Sequence, residues 1–323
     1  MRNLITGGAG FLGSNLANRL VDRGEQVVII DNLSSGYMRN LEHALSSGRA
    51  TLIFADVAQP PDALETIVRG ANPEPFDRIY HLASPASPEA YGKMPWETLC
   101  VNAIGTMSLI ELALRDRARM LYASTSEIYG DPLVHPQPES YFGNVDPIGP
   151  RSCYDEGKRF GEAAMATAFG KRELDGRIVR FFNCYGPAMD VTDGRLVPAM
   201  VEALAAGKRL PIHGTGRQTR SMTYVDDALD LVALVMERPQ PVLQPVNVGN
   251  DDERSVEEIA RAVAVAAGIP FDPEFVSPRE ADPQRRKPDL TTARSYGWAP
   301  TTTLEAGLAK TYHWFLETHL AFA

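Results

Sequence analysis

The chain has 323 residues, of which 44% are hydrophobic and 23% are charged, so it is long enough for one large domain or two lobes. Its formal net charge of −9 argues against a surface that binds nucleic acid or an anionic membrane. The 3 cysteines have no metal-binding spacing, and we see neither a leader nor a long apolar span, so we expect a cytoplasmic protein.

The amino-terminal stretch has the pattern of a dinucleotide-binding unit. A β-compatible run, Arg2–Thr6, leads into the glycine-rich turn Gly7–Gly13, a helical pattern follows, and the apolar run Gln26–Ile30 ends at Asp31. The glycines let backbone amides approach a pyrophosphate at the helix N-terminus, and Asp31 can accept hydrogen bonds from the adenine ribose. Because Asp31 would repel a 2′-phosphate, the pattern favours NAD over NADP.

Strand and helix patterns then alternate along the chain. Further apolar runs, each ending in small or polar residues, predict buried parallel strands at 51–55, 78–83, 120–123, 178–182 and 245–249. Helical patterns separate them, notably at 96–114 and 156–169. We therefore predict an α/β fold: a Rossmann-like doubly wound parallel sheet with a smaller C-terminal substrate-binding lobe. The sheet domain spans 1–183 and also 222–248, and 184–323 mainly forms the lobe.

The most informative stretch is 124–158, which starts at the carboxyl end of a central predicted strand. It opens with the hydroxyl-and-acid cluster Ser124–Glu127 and closes with Tyr154-x-x-x-Lys158. Residues four apart on a helix share a face, and a lysine ammonium near a phenol favours the phenolate. Tyr154 could then act as a base near neutral pH. Taken alone, the pair also fits a surface helix, but its position at the ligand edge of the sheet favours a catalytic role.

Together these motifs resemble the extended short-chain dehydrogenase/reductase family, whose members act on nucleotide sugars. The resemblance covers essentially the whole chain. The motifs that carry it are Gly7-x-x-Gly10-x-x-Gly13, Asp31-Asn32, Asp56-Val57, the cluster 124–126, Tyr154-x-x-x-Lys158, Asn183-x-Tyr185-Gly186-Pro187 and Arg220 before Tyr224-Val225-Asp226-Asp227. The stretches most similar to the family members that decarboxylate UDP-glucuronate are 81–88, 124–131, 135–158 and 282–289.

This resemblance implies an enzyme that converts UDP-glucuronate to UDP-xylose through a 4-keto intermediate and recycles its NAD. It implies that Tyr154 removes the proton of the 4-hydroxyl, that Lys158 lowers the pKa of this tyrosine, and that Thr125 hydrogen-bonds the developing oxygen. The ketone turns the substrate into a β-keto acid, so the protein needs mainly to orient the carboxylate and stabilise the resulting enolate.

The resemblance also assigns the remaining site residues. Arg286 is expected to hold the substrate carboxylate, with Arg285 as the rival, and Glu127 to work near carbon 5 in an acid–base or positioning role. The residues expected to bind the cofactor are Gly7, Gly10, Phe11, Leu12, Gly13, Asp31, Asn32, Ser35, Gly36, Asp56, Val57, Leu82, Ala83, Ser84, Tyr154 and Lys158. Those expected to bind the substrate are Pro85, Ser126, Asn183, Arg195, His213, Arg220 and Arg286. No metal is expected.

Several positions differ from those of the related enzymes or distinguish one activity of the family from another. His213 stands where a tyrosine often lies near the nucleotide base, and Tyr37-Met38 replaces a basic pair after the ribose loop. Ser126 stands where the 4,6-dehydratases carry the aspartate that protonates the departing hydroxyl, and Glu127 is usually absent from 4-epimerases. These two positions favour decarboxylation over both alternatives.

Other functions are open at this point. They are a decarboxylase that stops at the 4-keto pentose and releases NADH, a 4-epimerase or 4,6-dehydratase, and a non-catalytic dinucleotide-sensing protein, which the retained Tyr154 and Lys158 disfavour. The family resemblance also implies a UDP-sugar substrate and a homodimer through the helices at 96–114 and 156–169. From the net charge we expect neither nucleic acid nor a membrane as partner. His81 is expected to be a hydrogen-bonded core histidine.

Overall fold

The computed structural model describes residues 1–239, 243–278 and 285–320. Residues 282–284, part of the stretch 282–289, lie outside these described residues. The strands are β1 (Arg2–Thr6), β2 (Gln26–Asp31), β3 (Ala50–Phe54), β4 (Arg78–His81), β5 (Arg119–Thr125), β6 (Gly176–Phe181), β7 (Cys184–Tyr185), β8 (Leu210–His213), β9 (Thr219–Ser221), β10 (Thr223–Tyr224), β11 (Val246–Val248), β12 (Glu253–Ser255) and β13 (Pro273–Val276).

Helices connect most of these strands. The α-helices are α1 (Phe11–Asp22), α2 (Glu42–Ser46), α3 (Pro61–Ala71), α4 (Pro88–Lys93), α5 (Pro95–Cys100), α6 (Thr106–Asp116), α7 (Ser152–Arg172), α8 (Leu196–Ala205), α9 (Val225–Glu237), α10 (Val256–Ala267), α11 (Thr291–Ser295) and α12 (Leu304–Phe315). Short 3₁₀ segments occupy Met38–Leu41 and Ser126–Tyr129, and π-helical segments occupy Val101–Gly105 and Leu316–Leu320.

The central sheet has seven parallel strands in the order β11-β6-β5-β4-β1-β2-β3. Chain order reverses between β1 and β4, since β2 and β3 continue on one side of this pair and β5, β6 and β11 on the other. A ligand crevice forms at such a switch point, outside the carboxyl ends of the strands. The predicted doubly wound, Rossmann-like sheet is confirmed.

Both faces of the sheet are covered, which explains the nearly continuous apolar strands. Neighbouring residues of β1 enter different cores: Leu4 packs with side chains of α3, α6 and α7, whereas Ile5 packs with side chains of α1 and α9. The strand sequences therefore lack the alternation of apolar and polar residues that a one-sided sheet would show.

Three two-stranded sheets follow β6 in the chain and pair β7 with β10, β8 with β13 and β9 with β12. They lie within the segment for which a substrate-binding lobe is predicted. By contrast, β11 joins the central sheet beside β6. The start of α10 is fixed by a capping box, in which Ser255 and Glu258 each accept a hydrogen bond from the other's backbone amide.

The helix predicted at 96–114 is longer and more apolar than we expected from the sequence. Among the described residues, α5, the π-helical segment and α6 together form a helix of 22 residues, Pro95–Asp116, with mean hydropathy 1.3. It is long and apolar enough to cross a membrane by length and composition alone, so the expectation of no long apolar span was wrong. Because 56% of its apolar window is buried inside the fold, it has the character of a core helix.

His81, at the end of β4, is the core histidine that the sequence predicted. Its ring nitrogens lie 2.8 Å from Thr6 Oγ1 and 3.1 Å from Thr106 Oγ1, and its side chain is fully enclosed. Burial lowers its pKa to about 3, with a further lowering by the nearby Lys158. His81 is therefore neutral at physiological pH and holds β1, β4 and α6 together.

Helix α7 lies directly against β5, and a glycine makes this close approach possible. A Cβ atom at Gly161 would overlap the Tyr122 hydroxyl, and Tyr122 is fully buried in β5. Gly157, one turn earlier, faces Asn102, where an added Cβ would lie 3.2 Å from the asparagine Cβ. The position of α7, which carries Tyr154 and Lys158, therefore depends on small residues.

We expect Gly161→Ala to destabilise the protein by about 1–3 kcal/mol, because neither Tyr122 nor the helix backbone has room to yield. Gly170, in the same helix, is the matched control: nothing lies within 4 Å of its Cβ position. Gly170→Ala should therefore stabilise the helix by about 0.5 kcal/mol. Urea unfolding followed by circular dichroism measures both, and equal effects at the two glycines would contradict the close packing.

Candidate active site

Two adjoining cavities open at the carboxyl edge of the sheet. The cofactor cavity, about 320 Å³, borders the ends of β1, β2 and β4, and the substrate cavity, about 240 Å³, borders the ends of β5 and β6. The side chains that line both cavities are those of Phe11, Leu12, Leu82, Ser84, Ala86 and Arg195. Ligands in the two cavities would therefore meet at the end of β4.

Most residues expected to bind the cofactor line the cofactor cavity. They are Gly7, Gly10, Phe11, Leu12, Gly13, Asp31, Asn32, Ser35, Gly36, Asp56, Val57, Leu82, Ala83 and Ser84. Tyr154 and Lys158 line the substrate cavity instead, whereas Pro85, which we expected beside the substrate, lines the cofactor cavity.

The geometry of the glycine-rich turn fits a dinucleotide. An added Cβ at Gly13 would overlap the Gly7 carbonyl, so α1 begins directly against the turn. An added Cβ at Gly10 would meet only the Gly7 oxygen, at 3.3 Å, so the cavity side of this residue is open to a ligand. The backbone amides at the start of α1 are thus accessible to a pyrophosphate.

Asp31 is oriented by the backbone at the end of β2. Its two carboxylate oxygens accept hydrogen bonds from the amides of Ala9 and Leu33, each at 2.8 Å. Burial raises the pKa of this carboxyl, and the two hydrogen bonds oppose that rise. Each oxygen has a second lone pair, so Asp31 can also accept the two hydroxyls of a ribose.

The residues expected to carry out the chemistry converge on the substrate cavity. The lining residues that the sequence predicted are Thr125, Ser126, Glu127, Tyr154, Lys158, Asn183, Arg195, His213, Arg220 and Arg286. They come from the end of β5 and the 3₁₀ turn after it, from α7, and from the segments after β6. Arg285, the rival of Arg286, is exposed and does not line the cavity.

The electrostatics of Tyr154 differ from the sequence expectation. Burial raises its pKa well above the ordinary value, and hydrogen bonding with Thr125 only partly opposes this. Burial also lowers the pKa of Lys158 to about 7, and its Nζ donates to the Ala123 carbonyl at 2.8 Å. Burial therefore outweighs Thr125 and Arg195, the groups that lower the pKa of Tyr154, and it also disfavours the charged form of Lys158.

Glu127 is held by two arginines. Arg286 forms a bidentate ion pair with its carboxylate, and Arg151 Nη1 donates to Oε2 at 3.2 Å. Burial favours the protonated acid, but Arg286 and Arg151 outweigh it and lower the pKa of Glu127. Sequence reasoning missed Arg151, although it is a basic residue three positions before Tyr154 in the stretch already singled out.

A buried glutamine brings Arg286 to the site. The Gln137 amide donates to the Lys287 carbonyl, and the Gln137 carbonyl accepts from the Asp289 amide, each at 2.9 Å. Its side-chain Oε1 accepts from the Lys287 amide at 2.9 Å. Its side chain is completely enclosed. These bonds fix the segment that carries Arg286 against the long loop between β5 and α7.

The two positions that depart from the related enzymes also lie at the cavities. His213 lines the substrate cavity, and its Nδ1 lies 2.9 Å from the Ser277 carbonyl. Tyr37 lines the cofactor cavity and donates to Asp190 Oδ2 at 2.8 Å. Tyr37 thus connects the ribose loop to the segment between β7 and α8.

Sequence comparison identifies relatives along almost the whole chain. Residues 3–249 match the NAD dependent epimerase/dehydratase family. UDP-glucuronic acid decarboxylase 1 of Xenopus tropicalis is 46% identical over 317 residues, which are 97% of this chain and 72% of that protein. UDP-glucuronic acid decarboxylase 3 of Arabidopsis thaliana is 43% identical over 310 residues, which are 95% of this chain and 87% of that protein.

Solved structures of related enzymes share the fold. UDP-glucose 4-epimerase of Thermotoga maritima, solved with UDP-glucose, superposes with a TM-score of 0.88 at 28% identity, covering 98% of this chain and 99% of that one. UDP-glucose 4-epimerase of Thermus thermophilus, solved with NAD, gives a TM-score of 0.85 at 26% identity, covering 98% of this chain and all of the other, 100%.

Proposed function

The chain belongs to the NAD dependent epimerase/dehydratase family, and we propose that it catalyses the NAD-dependent decarboxylation of UDP-glucuronate to UDP-xylose. The observation that carries this proposal is the 46% identity to a UDP-glucuronic acid decarboxylase over 97% of the chain. The fold and the chemistry of the site agree with it: a dinucleotide cradle adjoins a cavity that holds a tyrosine, a carboxylate and several arginines.

Tyr154 is the base that takes the proton of the sugar 4-hydroxyl. NAD, when bound in the cofactor cavity, would supply reversible hydride transfer at carbon 4. Because burial disfavours the phenolate, its formation needs positive charge nearby. Arg195 lowers the pKa of the phenol, and we assign the same role to Lys158, whose Nζ lies 5.8 Å from the centre of the Tyr154 ring. Thr125, at the end of β5, faces the phenol and can donate to the oxygen that develops at carbon 4.

Arg286 binds the carboxylate of the substrate. A guanidinium matches a carboxylate with two parallel hydrogen bonds, and Arg286 already makes this arrangement with Glu127. The substrate carboxylate therefore competes with Glu127 for the same donors. Arg151 keeps one hydrogen bond to Glu127 when Arg286 turns to the substrate, so the glutamate is not left without a partner.

This exchange gives Glu127 a role after carbon dioxide has left. Burial raises the pKa of Glu127, and Arg286 and Arg151 oppose that rise. When Arg286 binds the substrate instead, less positive charge remains beside Glu127, so its pKa rises. While the substrate carboxylate still holds Arg286, the glutamate can take up a proton from solvent, and it can deliver this proton to carbon 5 of the enolate once carbon dioxide has left. For the diphosphate of UDP we assign Arg220, a buried residue of β9 that lines the same cavity.

We expect the purified protein, given UDP-glucuronate and catalytic amounts of NAD, to release carbon dioxide and form UDP-xylose without net NADH. NMR of the nucleotide sugar and NADH fluorescence measure this. Tyr154→Phe should lower kcat by at least about 100-fold, because the base is lost, while the Kd for NAD changes by less than about twofold.

Other products would show that the protein catalyses a different reaction. A 4-keto pentose with stoichiometric NADH would identify an enzyme that stops after decarboxylation, and a retained carboxylate with inverted carbon 4 would identify an epimerase. If no carbon dioxide forms, the proposed reaction is wrong. If Tyr154→Phe keeps full activity, the proposed base is wrong.

We expect Arg286→Gln to lower kcat/KM for UDP-glucuronate by about 100-fold or more, since a buried charge-assisted bidentate contact is lost. Affinity for UDP, which lacks the carboxylate, should stay within about twofold. Arg285→Gln is the matched control, because Arg285 is exposed and outside the cavity wall. Steady-state kinetics and calorimetry compare them, and a larger loss at Arg285 would reverse the assignment.

We also propose a homodimer, formed through the helix Pro95–Asp116 and α7. These helices pack side by side, and five of their apolar side chains are more than a third exposed: Trp96 72%, Leu99 37%, Ile104 37%, Met107 44% and Phe160 43%. Two copies of this pair would cover one another as a four-helix bundle.

Sedimentation equilibrium should therefore give twice the chain mass of 35.4 kDa. The double variant Met107→Glu with Phe160→Glu should be a monomer, because dimerisation would bury each new negative charge in the bundle. Val265→Glu, on the exposed face of α10, is the control and should leave the mass unchanged, since Val265 is 70% exposed elsewhere on the surface. A monomeric wild-type protein at micromolar concentration would exclude the dimer.

A further inference from the structure

A second tyrosine covers the catalytic one. The rings of Tyr91 and Tyr154 stack with their centroids 5.2 Å apart and their planes 12° from parallel. Both side chains are buried, with 4% and 6% of their surface exposed, and with Cys153 they form a small cluster separate from the two main cores. Tyr154 lines the substrate cavity but Tyr91 lines neither cavity, so Tyr91 packs against Tyr154 from behind the cavity wall.

Tyr91 belongs to the short helix α4, which borders the cofactor cavity. Glu89, Ala90 and Lys93 of this helix line the cofactor cavity. The helix is fixed at its start, where the Ser87 hydroxyl accepts a hydrogen bond from the Ala90 amide at 3.2 Å. The stack therefore joins the helix that borders the cofactor cavity to the helix that carries Tyr154.

We propose that Tyr91 is a positioning residue that holds the Tyr154 ring in the orientation needed for proton removal; this rests on the proposed role of Tyr154 as the base. Proton transfer requires the phenol oxygen within about 2.6–3.2 Å of the sugar hydroxyl. The terminal torsion of a tyrosine side chain has a broad energy well, so packing must select the ring orientation. An offset parallel stack is a preferred geometry of two aromatic rings and supplies that selection.

Two substitutions separate the stack from the hydroxyl of Tyr91. Tyr91→Phe keeps the ring, so kcat should stay within about threefold of wild type. Tyr91→Leu keeps an apolar side chain without a ring, so kcat should fall about tenfold or more, while KM for UDP-glucuronate and Kd for NAD change less than about twofold. Deuterium at carbon 4 of the sugar should give a larger isotope effect in Tyr91→Leu, because the oxidation step becomes slower.

A direct measurement of the ring does not depend on turnover. With 3-fluorotyrosine at position 154, the ¹⁹F resonance should stay at its wild-type position in Tyr91→Phe. In Tyr91→Leu it should move toward the shift of the free amino acid and narrow, as the ring gains freedom. If wild type forms no UDP-xylose, the proposed function fails, but the fluorine resonance still decides whether Tyr91 holds the ring.

Other outcomes would overturn the proposal. One is a Tyr91→Leu variant with wild-type kcat, isotope effect and fluorine resonance. Another is a Tyr91→Leu variant in which kcat, NAD affinity and the urea midpoint fall together while the fluorine resonance stays in place, which would make Tyr91 a packing residue of α4. A loss in Tyr91→Phe as large as in Tyr91→Leu would assign the effect to the hydroxyl and not to the stack.

Discussion

The site depends on how closely helix α7 lies against strand β5. Gly161 leaves no space between the helix and Tyr122, and this contact brings Lys158 near enough to donate to the Ala123 carbonyl at 2.8 Å. A larger residue at position 161 would lift the helix and carry Tyr154 away from Thr125 at the strand end. The close approach of the α7 backbone to β5 thus fixes the position of Tyr154 at the sheet edge. The neighbouring side chains can act on Tyr154 only in that position.

A buried ion pair between α7 and β6 also fixes the loop that follows β5. Glu162 of α7 forms a bidentate pair with Arg180 of β6, with nitrogen–oxygen distances of 2.8 and 2.7 Å, and it accepts the Ser124 hydroxyl at 2.5 Å. Arg180 also donates to Tyr129 at 2.9 Å, and Tyr129 donates to Asn247 at 2.8 Å. Removing one partner would leave a buried charge unpaired, so we infer that this network keeps the strand end and the loop rigid together.

Sequence patterns predicted the elements but not the contacts between distant segments. The glycine-rich turn, the apolar runs and Asp31 lie within one local unit, so their spacing predicts the sheet edge and the cofactor cavity. The pairing of Glu127 with Arg286 joins residues 159 positions apart, and no local period encodes it. The high pKa of Tyr154 was also missed, because the spacing of two residues reveals a neighbouring charge but not the depth of burial.

The arrangement of charge around Glu127 accounts for a site that must first bind an acid and later supply a proton. A free carboxylate beside the substrate carboxylate would repel it, but Arg286 and Arg151 neutralise Glu127 beforehand. We propose that the substrate takes over Arg286, so that the two carboxylates share the cations instead of facing one another. When carbon dioxide leaves, the negative charge moves onto the enolate, and Glu127, which we propose takes up a proton while the substrate carboxylate holds Arg286, can protonate carbon 5. One arginine exchange thus links substrate recognition to proton delivery.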